Sequence, residues 1–153
     1  KGDAHYNPRK LLVQLLSSGV RPLIAHAEKH RPIRRVLVTF SGSAASSKTM
    51  KRFAQMRLWP EAKTRILVCG TDEQAARQLG DDASHYLLSH GFQAESFIAP
   101  GTPHEEIAEA AKRWNADMIV LGCGSHTLFR KGSMGKTAGH LIRNASLPLF
   151  LGQ

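Results

Sequence analysis

The fold is indicated first by the stretch Arg35-Val36-Leu37-Val38-Thr39-Phe40-Ser41-Gly42-Ser43. Its apolar run predicts a buried strand, and the small polar residues after it predict a turn and the N-cap of a helix. Outward from this stretch, further strand-type runs lie at residues 66–69, 94–99, 118–121 and 149–151, with a helix-type segment between each pair of neighbouring runs. Such alternation predicts a doubly wound α/β fold with five parallel strands. Ligands are expected beyond the carboxyl ends of the strands.

Two of these runs carry positional information. Residues 118–121 are continuously apolar, which is typical of a central strand buried on both faces, whereas residues 94–99 alternate, which is typical of an edge strand. The strand at 94–99 is followed by Thr102 and Pro103, a good N-cap and a good first helical residue. A helix is therefore expected to begin at residue 103.

The first 33 residues precede this pattern and predict a helix at residues 11–16 and a strand at residues 22–27. At an offset of 126 residues, Pro22-Leu23-Ile24 falls on Pro148-Leu149-Phe150. We therefore expect residues 1–33 to be the last helix and strand of a preceding copy, and residues 34–153 to form one α/β domain. A strand with an apolar face must pair, so residues 22–27 should pair with the closing strand of this chain or of a partner.

Length and composition bound the class of protein. The chain has 153 residues, 42% of them hydrophobic, which is enough for one globular core. The two cysteines, Cys69 and Cys123, do not form a disulfide scaffold, and we interpret them as small buried apolar residues near the ligand crevice. The sequence shows neither a membrane-spanning run nor a signal peptide, so we predict a cytoplasmic protein without a membrane partner.

Charge is distributed unevenly along the chain. Residues 1–65 hold 14 Lys and Arg against three acids, whereas residues 66–153 hold seven against nine, within an overall formal charge of +9. A basic half is compatible with nucleic acid, an acidic partner or an anionic ligand. Because aromatic residues are not interleaved for base stacking, we interpret it as a solvated surface and regard nucleic acid as an unlikely partner.

Motifs for catalysis and metal binding are weak. Gly135-Lys136-Thr137 resembles the end of a P-loop, but Arg130 stands where that motif requires a glycine. The eight histidines lack ligand spacing and there is no Cys-x-x-Cys pair, so no metal site is expected. No Ser/His/Asp arrangement is indicated either. We therefore expect no catalytic residues, and at most weak ATP hydrolysis.

Four segments together resemble the universal stress protein family. They are the opening strand and turn at residues 35–43, Pro100-Gly101-Thr102-Pro103-His104-Glu105-Glu106-Ile107, residues 116–122, and the closing segment from Gly135 to Leu149. The resemblance implies an open, Rossmann-like sheet similar to that of the adenine nucleotide alpha hydrolases, with strand order 3-2-1-4-5. It also implies a role in stress response and a homodimer formed through the last strand, here residues 149–151 and/or the strand at residues 22–27.

Many members of that family bind ATP through Gly-x-x-Gly, nine further residues and Gly-Ser or Gly-Thr. The corresponding positions here are Gly122, Ser125, Gly135 and Lys136, so two of the four differ from the motif. ATP-binding relatives also carry an aspartate after the first strand, where this chain has Ser41. The resemblance therefore implies a degenerate site for ATP or a related nucleotide.

The predicted site combines the motif positions with the residues at the ends of the first two strands. Glycines would let phosphates approach main-chain N–H groups at a helix N-terminus. We expect a regulatory nucleotide or another phosphorylated ligand there; the alternative is a dimerisation or assembly module with an empty site. The candidate binding residues are Thr39, Phe40, Ser41, Gly70, Gly122, Ser125, Gly135, Lys136 and Thr137.

Overall fold

The computed structural model describes residues 8–18, 21–26, 29–124, 135–144 and 146–153. From residue 35 onward the described elements alternate between strand and helix, as the sequence predicts. The strands are β1 Leu23–Ala25, β2 Arg35–Thr39, β3 Lys63–Cys69, β4 Gln93–Ala99, β5 Met118–Gly122 and β6 Leu149–Gly152. The helices are α1 Pro8–Ser18, α2 Ala44–Met56, α3 Glu73–Ser89, α4 Pro103–Arg113 and α5 Lys136–Asn144.

The strands form one sheet in the order β1-β6-β5-β2-β3-β4. Strands β2 to β6 are mutually parallel and have the order 3-2-1-4-5 that the family resemblance implies. The expectation of five strands, all parallel, is wrong by one: β1 adds a sixth strand and runs antiparallel to β6. Strand β1 joins the sheet because the outer side of β6 would otherwise carry unpaired main-chain N–H and C=O groups, which hydrogen bonds to the N-terminal strand satisfy.

The register between β1 and β6 confirms the predicted pairing with the closing strand of this chain. Leu23 pairs with Leu151, Ile24 with Phe150 and Ala25 with Leu149. At the offset of 126 residues Ile24 thus pairs with its own counterpart, and the two flanking pairs are exchanged. This is the symmetry of an isologous two-fold contact, in which residue i meets j and j meets i.

The core lies on both faces of the sheet because successive strand residues point to opposite sides. In β2, Val36 and Val38 belong to the cluster under α2 and α3, whereas Leu37 belongs to the cluster under α1, α4 and α5. Leu16 of α1 is only 2% exposed and lies in this second cluster. The N-terminal helix is therefore packed into the same core as the α/β domain.

The longest helix within the described ranges is α3, with 17 residues. No helix in these ranges is long and apolar enough to cross a bilayer.

Candidate functional site

A crevice lies at the carboxyl ends of β2, β3 and β5. Strand β2 has β3 on one side and β5 on the other, so the chain order reverses here, and ligands in open α/β sheets bind at such a point. The described residues enclose a cavity of about 180 Å³. It is lined by Thr39, Phe40, Ser41, Ser46, Leu67, Cys69, Pro103, Ile107, Leu121, Gly122 and Thr137.

Five of the nine predicted site residues meet in this lining. They are Thr39, Phe40, Ser41, Gly122 and Thr137. The other described ones lie next to the crevice rather than in its wall: Gly70 follows Cys69, and Gly135 and the exposed Lys136 precede Thr137. The candidate Ser125 lies outside the described residues. The functional assignment of all nine residues stays a prediction.

The rest of the lining was not selected from the sequence. Leu67, Ile107 and Leu121 are apolar residues whose inward position follows only from the packing of β3, α4 and β5 around the crevice. Pro103 lines the cavity because α4 begins at its rim. The sequence predicted that this helix begins at residue 103, and this was the information from which a position near the crevice could have been inferred for Pro103.

Three serine hydroxyls meet where β2 leads into α2. Ser43 is the N-cap and accepts a hydrogen bond from the backbone N–H of Ser46 at 3.2 Å. The Ser41 hydroxyl lies 3.0 Å from that of Ser43 and 3.3 Å from that of Ser46. Ser41 therefore belongs to the hydroxyl cluster around the N-cap, whereas the cap bond itself is made by Ser43. The predicted capping role of this serine-rich segment is confirmed.

Gly122 is required by the fold at this end of the sheet. A Cβ on it would lie 2.5 Å from the backbone nitrogen of Ser46 and 2.7 Å from the backbone carbon of Ala45. No backbone could relax that far without moving the start of α2. Beside it, the Thr39 hydroxyl donates to the Val120 carbonyl at 3.0 Å, which ties β2 to β5 at the crevice floor. The first glycine of the motif thus has a structural reason that is independent of any phosphate.

The two thiols differ in exposure. Cys69 is half-buried in the crevice wall, and burial, with a smaller contribution from the nearby Glu106 carboxylate, raises its pKa. Cys123 is 0% exposed, and burial raises its pKa to about 12. Neither thiol ionises readily at neutral pH. The interpretation as a small buried residue is confirmed for Cys123 and is wrong for Cys69, which is half-buried and lines the crevice.

The described histidines include one close pair near the crevice. The rings of His104, in the first turn of α4, and His140, on α5, are centred 4.6 Å apart. Among the described residues no group of three or more His, Cys, Asp or Glu side chains is arranged to hold a metal ion.

Comparison with known proteins identifies the family. The sequence profile described as "Universal stress protein family" matches residues 32–151, which is most of the chain. The chain belongs to the universal stress protein family. Universal stress protein Slr1230 of Synechocystis sp. is 25% identical over 140 residues, which cover 90% of this chain and 48% of that protein. The chain thus spans about half the length of this curated relative.

Solved structures of the family share the fold. A universal stress protein from Archaeoglobus fulgidus DSM 4304 superposes with a TM-score of 0.70 at 21% identity, covering 95% of this chain and 56% of that one. A universal stress protein crystallised in complex with cAMP superposes with a TM-score of 0.64 at 18% identity, covering 78% of this chain and 95% of that one. At these identities the likeness concerns the fold.

Proposed function

We propose that this domain binds an adenine nucleotide, ATP or a close relative, in the crevice at the carboxyl ends of the strands and acts as a regulatory component of a stress response. The observation that carries the proposal is the convergence of five predicted ligand residues on one cavity at the point where strand order reverses. A relative of the same fold was crystallised with cAMP, which supports an adenine nucleotide as the ligand class.

The lining suits a nucleoside more than a bare anion. Phe40, Ile107 and Leu121 offer an apolar wall for a base, and the hydroxyls of Ser41 and Thr137 offer hydrogen bonds to a ribose. The cavity of about 180 Å³ is smaller than the roughly 300–1,000 Å³ of complete ligand pockets. The described walls would therefore enclose the nucleoside only.

The phosphates would extend from the crevice toward the start of α5. Lys136 is the first residue of that helix and is exposed. The N-terminus of a helix favours negative charge, and a lysine ammonium adds to that preference. This end of α5 would therefore hold the phosphate groups.

A regulatory role is favoured over catalysis by the chemistry of the wall. Among the described residues the lining contains hydroxyls, a thiol and apolar groups, without a carboxylate or an imidazole. Hydrolysis of a phosphoanhydride needs a group that positions or deprotonates water, and the hydroxyls and the protonated thiol of this lining are poor bases at neutral pH. We therefore expect binding without rapid turnover.

Cys69 provides a direct test, because it lines the crevice while Cys123 is fully buried. Alkylation with iodoacetamide at about pH 9.0, the ordinary thiol pKa, should modify Cys69 first, because it is the more exposed of the two thiols. ATP, ADP, AMP and cAMP are then added at millimolar concentration. We expect at least one of them to slow this alkylation and to raise the melting temperature. At 100 times its dissociation constant, a ligand adds about 2.7 kcal/mol to the free energy of unfolding.

The Cys69→Ser variant is the matched control, since labelling in it reports Cys123 only. Alkylation and melting that stay the same with every nucleotide would contradict nucleotide binding. If a nucleotide raises the melting temperature but leaves the rate of Cys69 alkylation unchanged, the nucleotide binds elsewhere. That result would contradict binding in the crevice.

The second candidate function is an assembly module, and the two-fold register of β1 on β6 favours it. Strand β6 is paired on both sides in this chain, with β5 and with β1, so β1 occupies the place that a partner's strand would take. A homodimer in which residues 149–151 pair with the same residues of a partner would require β1 to leave β6. If β1 belongs to a complete preceding module, that module would take the place of the partner on β6. Dimers in sedimentation velocity, together with the absence of any nucleotide effect above, would support this function.

A further inference from the structure

A second and larger cavity lies at the opposite end of the sheet from the crevice. It measures about 540 Å³, within the range of ligand pockets, and opens at the amino ends of β2, β3 and β4 beside the end of α4. We call it the amino-end groove. It is lined by Arg35, Lys63, Thr64, Arg65, Gln93, Ala94, Glu95, Arg113, Trp114 and Asn115.

The register explains why cations gather there. Arg35 of β2 pairs with Lys63 of β3, and paired residues of neighbouring strands point to the same face. Arg65 lies two residues along β3 and is therefore on that face as well. Further along β3, the residues on this face are apolar, such as Leu67, and are packed in the core cluster that includes α4. At the amino end the sheet face instead carries long cationic side chains.

Two of the guanidinium groups are held in place. The Arg65 guanidinium lies 4.9 Å from the centre of the Trp114 ring and also pairs with the Glu95 carboxylate. The Arg35 guanidinium donates to the Trp114 carbonyl at 3.2 Å. An arginine fixed in this way loses little conformational freedom when it binds an oxyanion, and its planar fork matches phosphate geometry.

The remaining two cations lack an anionic partner within the described part of the chain. Lys63 and Arg113 form no ion pair there, and Glu95 is the one carboxylate in the lining. Four cations and one carboxylate leave the groove with a net charge of +3. A single phosphate carries about −1.5 to −2 at neutral pH, so two linked phosphates match this charge better than one.

We propose that the amino-end groove is a second binding site, for a ligand that carries two or more linked phosphate groups. Its chemistry is distinct from that of the crevice, since the groove lining holds four cations and the described crevice lining holds none, and it lies at the other end of the sheet. Trp114 serves to hold Arg65 and Arg35 rather than to stack on a base. Inorganic polyphosphate and the phosphate chain of a nucleotide share this chemistry, and the probes below distinguish them.

The test is titration calorimetry with phosphate, pyrophosphate, tripolyphosphate and ATP, at low salt and again at about 0.15 M salt. We expect pyrophosphate and tripolyphosphate to bind with dissociation constants below about 1 mM, more tightly than phosphate, and more weakly as salt rises. The Lys63→Ala/Arg113→Ala double variant should weaken both by roughly tenfold or more. Both side chains are exposed, and the cation at the end of α4 contributes only about 0.3–1 kcal/mol to the helix, so the variant should stay folded and melt at most a few degrees below the wild type.

The matched control is the Lys48→Ala/Arg52→Ala double variant, which removes the same charge from the exposed face of α2 on the other side of the sheet. If this control weakens the binding of pyrophosphate and tripolyphosphate equally, overall charge accounts for the effect and the proposal is overturned. Failure of pyrophosphate and tripolyphosphate to bind would overturn it too.

Binding of ATP, tripolyphosphate and an oligonucleotide to the groove variant identifies the source of the phosphates. If the groove variant weakens ATP and tripolyphosphate alike, the shared phosphate chain is the recognised group; if it weakens tripolyphosphate only, the site is one for inorganic polyphosphate. Tighter binding of a short single-stranded oligonucleotide, lost in the same variant, would replace the small ligand with nucleic acid. Protection of Cys69 by nucleotides in the groove variant would show that the crevice is intact, so the two proposals can fail separately.

Discussion

The crevice and the amino-end groove use the two ends of one sheet in different ways. At the crevice the backbone of α2 approaches Gly122 so closely that no side chain fits, and the wall is neutral. At the groove long cationic side chains cover an open sheet face, and the wall is charged. Close main-chain packing therefore shapes the crevice, and electrostatics shapes the groove.

The polarity of a parallel sheet contributes to this difference. Helices that follow parallel strands begin near the carboxyl ends of the strands and end near the amino ends, so the N-termini of α2 and α4 lie at the crevice and the C-terminus of α4 lies at the groove. The C-terminus of a helix favours cations. Arg113, in the last turn of α4, therefore stabilises the helix as well as adding positive charge to the groove.

The largest expected effect concerns main-chain packing at the crevice. Gly122→Ala should lower the free energy of unfolding by about 3 kcal/mol, because its Cβ would overlap the backbone at Ser46. Urea unfolding followed by circular dichroism measures the loss. Gly139→Ala on α5 is the control, since its Cβ would meet only the Arg143 guanidinium at 3.7 Å, and it should raise stability slightly. An unchanged free energy of unfolding in Gly122→Ala would contradict the claim that main-chain packing shapes the crevice end.

A smaller effect is expected near the groove, where one carboxylate holds the start of β2. The Asp117 side chain accepts hydrogen bonds from the backbone N–H groups of Arg34 and Arg35 at 3.0 and 2.9 Å. Asp117→Asn should lower stability by about 1–2 kcal/mol in the same urea experiment, because the charge that strengthens these bonds is lost.

The control for Asp117→Asn is Glu109→Gln, which removes the same charge from an exposed position on α4. It should change stability by less than about 0.5 kcal/mol. Equal losses in the two variants would mean that overall charge, not the hydrogen bonds at the start of β2, accounts for the effect.

The smallest effect is a pH dependence at the crevice end. The Cys123 pKa rises from its ordinary value of 9.0 to about 12 in the folded chain. Above pH 9 the unfolded thiol ionises while the folded one keeps its proton, so the contribution to stability is complete at lower pH and is lost as pH rises. From about pH 8 to about pH 10 the wild type should lose about 1 kcal/mol more than Cys123→Ala does.

Urea titrations at several pH values measure this difference between the two proteins. Identical pH profiles for the wild type and Cys123→Ala would show that the thiol does not stay protonated in the folded chain. The crevice end would then be more accessible to water than the burial of Cys123 indicates.

Local patterns in the sequence predicted most of the secondary structure. The start of α4 at Pro103, an N-cap among the serines of residues 41–47 and the edge position of β4 follow from residue chemistry over a few positions. Each is found in the structure, the N-cap at Ser43. The order of the parallel strands came from the family resemblance. The strand at residues 22–27 and its pairing with a closing strand were predicted, but this strand was not counted in the five-stranded sheet, because the sequence left open whether the closing strand belongs to this chain or to a partner.

The candidate site was predictable only in part. Thr39, Phe40 and Ser41 were found because they lie at the end of a recognisable strand or just after it, and Gly122 and Thr137 because they match or adjoin a family motif. Ile107 and Leu121 were missed because an apolar residue at the wall of a cavity has the same local pattern as one in the core. The groove was missed for a similar reason: Lys63, Arg65 and Arg113 are scattered in the sequence among other basic residues.

The sequence by itself determined the alternation of strands and helices, the membership of the family and the excess of positive charge in the first half. It determined these because periodicity, capping and composition are properties of neighbouring residues. The tertiary structure added which cations share a face, that α2 presses against Gly122, and that β1 pairs with β6 of this chain rather than of a partner. Those outcomes depend on register and on the close approach of distant segments, which no local pattern contains.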